Sequence, residues 1–207
     1  MKYLDFKNKM DKFPVFSKQE IKKNFPDINN TNLQNWQKKN YLLKLKNNWY
    51  TFTSNKIDEY FLFYIANKIY APSYISLETA LSYYNLIPET SFSVSSVSTL
   101  KTIYFSNKLG RFFYSSIKKE YFFAYKIVRF NNFNIKIAEI EKSVLDFLYL
   151  HKDLQTFDDI KALRLNIPVL IDSLDFDKIN NYAKIFNSKV LFKKIDILKK
   201  LTDAKFN

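Results

Sequence analysis

The hydrophobic period of the chain changes within residues 28–52, and the rest of the sequence is best read outward from that change. With Asn29 or Asn30 as cap, the spacing predicts a helix with Leu33, Trp36, Gln37 and Asn40 on one side and Thr31, Gln34, Asn35 and Lys38 on the other. From Tyr41 the period drops to two. Residues 41–46 and 49–52 alternate on either side of Asn47-Asn48, a pair that tolerates the positive φ of a tight turn, so a hairpin is predicted. Upstream, residues 4–10 read as a short helix. Ser17 then caps a second helix over residues 18–24, with Glu20 completing a capping box, Ile21 facing inward and Phe25-Pro26-Asp27 ending it. Three helices followed by a hairpin predict a winged helix-turn-helix over residues 1–56.

Thr53-Ser54-Asn55-Lys56 is short and polar and reads as a linker. Beyond it, Tyr60, Phe61, Tyr64, Ile65 and Lys68 trace a helical stripe over residues 57–68, closed by Tyr70-Ala71-Pro72. Ser76 is placed to cap a helix that runs to Tyr84 and ends at Asn85. Residues 92–97, 102–105, 111–117, 121–130 and 133–138 are rich in aromatic and β-branched side chains, with turns at 107–110 and 131–132, and predict an antiparallel sheet. Helical spacing returns at 141–150, 157–163, 176–186 and 190–201, divided by Pro168 and by Asn187-Ser188. The expected fold class is α+β: the winged helix-turn-helix, then a mixed domain over residues 57–207 with an antiparallel sheet and flanking helices.

Composition narrows the chemistry. A 47% hydrophobic fraction in 207 residues can fill real cores. The net charge of +13 is concentrated at the start, where residues 1–56 hold 12 lysines against 4 acidic residues. Such an excess fits a polyanion, although a lysine-rich composition also serves solubility alone. The absence of Cys excludes disulfides and thiolate metal sites. A single histidine, His151, argues against zinc chemistry and a His-dependent triad, and a single Gly excludes a glycine-rich phosphate loop. No apolar run has the length of a signal peptide or a membrane span, so a cytoplasmic protein without membrane association is expected. Nothing implies a cofactor, a metal or a catalytic residue.

The candidate binding residues are Thr31, Gln34, Asn35, Lys38, Lys39, Lys44, Lys46, Asn47 and Asn48. Amides form paired hydrogen bonds with adenine edges in the major groove, and lysines answer phosphates. The helix alone leaves open whether this is a reading face or an ordinary polar surface; the hairpin after it favours reading. Glu139, Glu141, Lys142 and Asp146 are the best enzyme-like grouping, since nucleases place carboxylates and a lysine around a metal. The structural account is preferred: the glutamates complement a helix start, and Lys142 with Asp146 is an i,i+4 pair. His151 is placed to satisfy the carbonyls ending the preceding helix. Asp158, Asp159, Asp172, Asp175 and Asp177 read as caps. Lys193, Lys194, Lys199 and Lys200 read as a solvated helix face, with an extended nucleic-acid footprint or an acidic protein surface as the alternatives.

Residues 72–88, PSYISLETALSYYNLIP, resemble the P-x-Y-I-S-L-E-S-A-L-x-Y-Y-G-L-I-P motif of the AbiEi-type antitoxins, regulators of two-gene toxin–antitoxin and abortive-infection modules. Ser91-Phe92-Ser93-Val94-Ser95-Ser96-Val97 echoes the family's following Tyr-Ser-Val-Thr run. Leu109-Gly110-Arg111-Phe112 is similar to its F-G-x-F turn, and residues 137–146, IAEIEKSVLD, to I-A-x-P-E-K-A-L-L-D. The matches run in family order to about Leu150. Asn47-Asn48 stands where the family wing carries Arg-Gly, which keeps the turn and loses a cation. Asn85 replaces a Gly and Ile140 a Pro. The resemblance implies a winged-helix head that represses its own operon at inverted promoter repeats in double-stranded DNA. It also implies a C-terminal domain needed to oppose a nucleotidyltransferase-like toxin, with direct toxin contact left open, and no enzymatic activity. The competing expectation is a protein- or RNA-binding antitoxin that works mainly through its C-terminal domain.

Overall fold

The structure, a computed structural model, describes residues 2–88 and 93–203. Glu89, Ser91 and Phe92, which carry part of the predicted strand start and of the motif echo, lie outside the described residues. The chain is mixed α and β, with one antiparallel and one mixed sheet.

The first part is built from α1 (Tyr3–Met10), β1 (Val15–Ser17), α2 (Lys18–Asn24), α3 (Asn30–Lys38), β2 (Leu42–Lys46) and β3 (Trp49–Phe52). The capping box forms as expected. The Glu20 amide donates to Ser17 Oγ at 3.1 Å, and the Ser17 amide donates to Glu20 Oε2 at 2.6 Å. Asn29 caps α3 through the Asn32 amide at 2.9 Å. Beyond Lys38 the helix stops, and Asn40 takes φ 56° and is exposed. Its expected place on the packed side is thus overturned, because a left-handed residue leaves the helical spiral. β3 lies between β1 and β2, antiparallel to both. Phe6, Met10, Phe16, Ile21, Leu33, Trp36, Leu42, Tyr50 and Phe52 form a buried core drawn from these residues alone.

The second part begins with α4 (Glu59–Ile69), capped by Asp58, and β4 (Ser73–Ile75), followed by α5 (Leu77–Tyr83). Then come β5 (Ser93–Ser98), β6 (Ile103–Asn107), β7 (Gly110–Ser116), β8 (Tyr125–Phe130) and β9 (Phe133–Ala138). Five helices complete the described chain: α6 (Ile140–Leu150), α7 (Phe157–Ala162), α8 (Ile167–Ser173), α9 (Phe176–Phe186) and α10 (Lys189–Asp203). The six strands run in the order β6-β7-β5-β4-β9-β8. The predicted antiparallel sheet is corrected to a mixed one, since β4 pairs with β9 and β5 with β7 in parallel. The central strands are covered on both faces and so lack the alternation that advertises an antiparallel pair. Ile75, Val94, Phe112, Tyr114, Ile135 and Ile137 face α4, while Tyr74, Val97 and Ala138 face the layer of α5 and the C-terminal helices.

Two further expectations change. α8 occupies a stretch read as a break, because Pro168 sits in its first turn, where the missing amide costs nothing. Ser76 precedes α5 without capping it and gives its hydroxyl to Asp146 instead. Asn85 adopts φ 57°, the left-handed geometry suited to an Asn that ends a helix, and Asn131 and Asn187, read as a turn and a break between helices, take φ of 49° and 46°.

Candidate nucleic-acid interface

Leu33 and Trp36 anchor α3 in the first core, with the Trp36 ring 4.6 Å from Phe6. This anchoring turns Thr31, Gln34, Asn35 and Lys38 to solvent, with Lys39 beyond the helix end also exposed. Gln37 is half-buried and returns its side-chain amide to the Leu33 carbonyl at 3.0 Å, so it offers less to a ligand. The exposed side therefore carries two amides, a hydroxyl and an ammonium within two turns of helix.

In the hairpin, Lys44, Asn47 and Asn48 are exposed, and Asn48 takes φ 67° at the turn. Lys46 differs from its expected role at a phosphate. Its ammonium lies 4.3 Å from the centre of the Tyr70 ring and 4.9 Å from that of Phe105, and burial pushes its pKa down. The strand shifts register between Lys44 and Lys46, which rotates Lys46 toward the larger sheet. Beside it, the Asn107 side-chain amide donates to the Leu45 carbonyl at 2.9 Å. Sequence alternation assigns faces to a strand but says nothing of what a distant segment lays against one of them.

The acidic grouping is resolved into two separate sets. Lys178, from α9, bridges Glu139 and Glu141 at 3.0 Å each, and Tyr182 donates to Glu139 at 2.8 Å. Burial alone would lower the Lys178 pKa, yet the hydrogen bonds to both carboxylates carry it above its ordinary value. Lys142 and Asp146 point the other way and are wholly buried. Lys142 Nζ donates to Asp146 Oδ1 and to the Tyr74 hydroxyl, the latter at 2.8 Å; Tyr74 and Ser76 each donate to Asp146 Oδ2 at 2.9 Å. Burial pushes Lys142 down and Asp146 up, and their mutual attraction opposes both shifts. Among the described residues no group of three or more His, Cys, Asp or Glu side chains is placed to hold a metal ion.

His151 does not satisfy the end of α6 with its ring. That role falls to Lys194, whose ammonium donates to the Leu148 and His151 carbonyls at 2.8 and 2.7 Å, which removes Lys194 from the expected solvated face. His151 instead meets Glu78 Oε1 at 3.1 Å, at the edge of a cleft of about 440 Å³ that also holds Ser93, Ser95, Phe113 and Ser115. Asp159 completes a capping box with Thr156 and Asp175 caps α9, as expected, whereas Asp158, Asp172 and Asp177 lie within helices and cap none.

No helix among the described residues is long and apolar enough to cross a membrane. Comparison with known proteins adds nothing to this geometry: no protein-family model matches the chain, and no curated protein matches it.

Proposed function

We propose that the chain is an AbiEi-type antitoxin and cytoplasmic autorepressor. Residues 1–56 act as a winged helix-turn-helix on double-stranded repeats in its own promoter, and residues 57–207 counteract a nucleotidyltransferase-like toxin. The observation that carries this reading is the exposed side of α3. Thr31, Gln34, Asn35 and Lys38 stand clear of the protein while Leu33 and Trp36 hold the helix rigidly from behind. The chain order α1-β1-α2-α3-β2-β3, with β3 as the middle strand, supports it by bringing a hairpin next to that helix. Gln34 and Asn35 are then the base readers. Lys38, Lys39 and Lys44 serve the phosphates, with Asn47 and Asn48 at the hairpin tip.

The test is binding of the full chain to its upstream DNA across a salt series. Lys38→Ala and Lys44→Ala are expected to weaken binding to all duplexes and to flatten the slope of log K against log salt by about 1 each. Gln34→Ala and Asn35→Ala are expected to relax base preference by roughly 1–3 kcal/mol for each lost bidentate pair. Unchanged promoter binding in all four variants would sink the assignment. A second reading, an antitoxin acting on protein or RNA through residues 57–207, is favoured by one feature. Tyr104 and Phe113, 53% and 38% exposed, lie with ring centres 4.8 Å apart and planes tilted by 34° on the outer part of the large sheet and offer an aromatic surface.

A further inference from the structure

The β2–β3 hairpin has two flanks, and only one is closed. Leu43, Leu45 and Trp49 pack against the core that includes Phe61 and Phe112, and Lys46 covers Tyr70 and Phe105. Between the hairpin turn and α2 lies an open groove of about 750 Å³. Lys18, Gln19, Lys22 and Lys23 line it from α2, and Asn47 and Asn48 from the turn. Its walls are tied together. Ser17 pairs with Trp49 across β1 and β3, and the Lys18 amide donates to the Asn48 carbonyl at 2.7 Å.

The charge in this groove is one-sided. Glu20 is the only carboxylate lining it, and its Oε2 already accepts the Ser17 amide in the capping box. Among the described residues Lys18, Lys22 and Lys23 form no ion pair with a carboxylate. Lys18 and Lys22 are also four residues apart on the same helix, where like charges repel. Three ammonium groups on one helix of seven residues raise the local positive potential, and an open groove beside them suits a chain of anions. Gln19, Asn47 and Asn48 add neutral donors for phosphate oxygens.

We infer that this groove carries the phosphodiester backbone of the duplex whose bases α3 reads. Lys18, Lys22 and Lys23 then supply the phosphate contacts that the hairpin loses when Lys46 turns inward. The inference rests on the DNA-binding reading above and adds a second, sequence-independent contact line on the α2 side of the hairpin. Backbone contacts fix register and carry no base preference.

The experiment uses the full chain with two duplexes, its own upstream DNA and an unrelated sequence of equal length, titrated over a salt series. Lys18→Gln, Lys22→Gln and Lys23→Gln are made singly and together; each keeps a helix-compatible stem, with Lys22 and Lys23 exposed and Lys18 half-buried. The triple variant is expected to flatten the salt slope by up to about 2.7, at about 0.9 per contact, equally on both duplexes. Each single variant should take about 0.9, and Lys46→Gln should leave the slope unchanged. If the unaltered chain binds neither duplex at low salt, the DNA-binding reading fails and this inference falls with it. If it binds and the triple variant keeps the original slope while retaining its circular dichroism melt, the groove assignment alone is overturned. A Lys46→Gln slope as flat as that of a groove variant would overturn it too.

Discussion

Replacing either member of the buried Lys142–Asp146 pair should show how much the second part of the chain depends on it. Asp146→Asn keeps the shape but removes the negative charge and turns one of the two accepting oxygens into an NH2 donor. The Lys142 ammonium is then left in a site with no exposed surface, among the Tyr74, Phe123 and Phe186 rings. It escapes by losing its proton. Doing so near pH 7, from an ordinary lysine value of 10.5, costs about 4–5 kcal/mol at 1.36 kcal/mol per pH unit. Lys142→Met forces Asp146 to take a proton from an ordinary value of 3.8, at a cost of about 4 kcal/mol. Both fall within the roughly 3–5 kcal/mol expected for breaking a buried pair, a large share of the 5–15 kcal/mol that holds most domains folded.

The two variants should also differ in the sign of their pH dependence. In Asp146→Asn the unfolded chain binds one more proton than the folded chain, so stability rises by about 1.4 kcal/mol per pH unit toward the ordinary lysine value. In Lys142→Met the folded chain binds the extra proton, so stability falls by about the same amount per unit as pH rises from the ordinary aspartate value. The unaltered pair is flat from this source, because the charged pair and the neutral pair hold the same number of protons. Urea unfolding should be followed by far-UV circular dichroism, since neither tryptophan sits at the pair: Trp36 lies in the first core, and Trp49 packs against the Phe61 and Phe112 core on the α4 side of the large sheet. Losses below about 1 kcal/mol in both variants, or slopes of the same sign, would refute the reasoning.

Two further expectations are simpler. Asn48 holds φ 67° at the hairpin turn, so Asn48→Ala should cost about 1–2 kcal/mol while Asn48→Gly is tolerated; equal urea midpoints for the two would show that the turn relaxes. Burial would raise the Glu139 pKa, but hydrogen bonds from Lys178 and Tyr182 hold it below the ordinary 4.5. Its contribution is therefore complete above about pH 4.5 and is lost as pH falls through the lower folded value, so Lys178→Met should make the acid limb of the urea-midpoint curve shallower. The pair is partly exposed, which keeps the effect below about 1 kcal/mol, and an acid limb of unchanged slope would count against it.

Local grammar in the sequence is what proved legible. The Ser17–Glu20 capping box, the Asn47-Asn48 hairpin, the left-handed Asn85 and Asn187, and α9 over Phe176–Phe186 all follow from side chains within a few residues of one another. What was hidden depends on partners far along the chain. β4 is three residues long, buried on both faces and paired in parallel with β9, so no local alternation announces it. α8 was masked by reading Pro168 as a break when a proline also opens helices. For the candidate interface, the outward side of α3 was readable because Leu33 and Trp36 recur at helical spacing. The diversion of Lys46 was not, because Tyr70 and Phe105 reach it through tertiary packing. Lys18, Lys22 and Lys23 carry no local signal on a short helix, because the groove exists only where the hairpin turn packs beside them.

Lys46 fixes the orientation of the hairpin against the large sheet. Tilting the hairpin away from the large sheet would lift its ammonium off two rings and part Asn107 from the Leu45 carbonyl. Together these contacts are worth on the order of 1–3 kcal/mol. The orientation of the hairpin is thereby a shared thermodynamic variable. The ring-bound lysine is thus a latch: without it, the angle between the hairpin and the large sheet rests on the Asn107–Leu45 hydrogen bond and on the packing of Leu43, Leu45 and Trp49 alone.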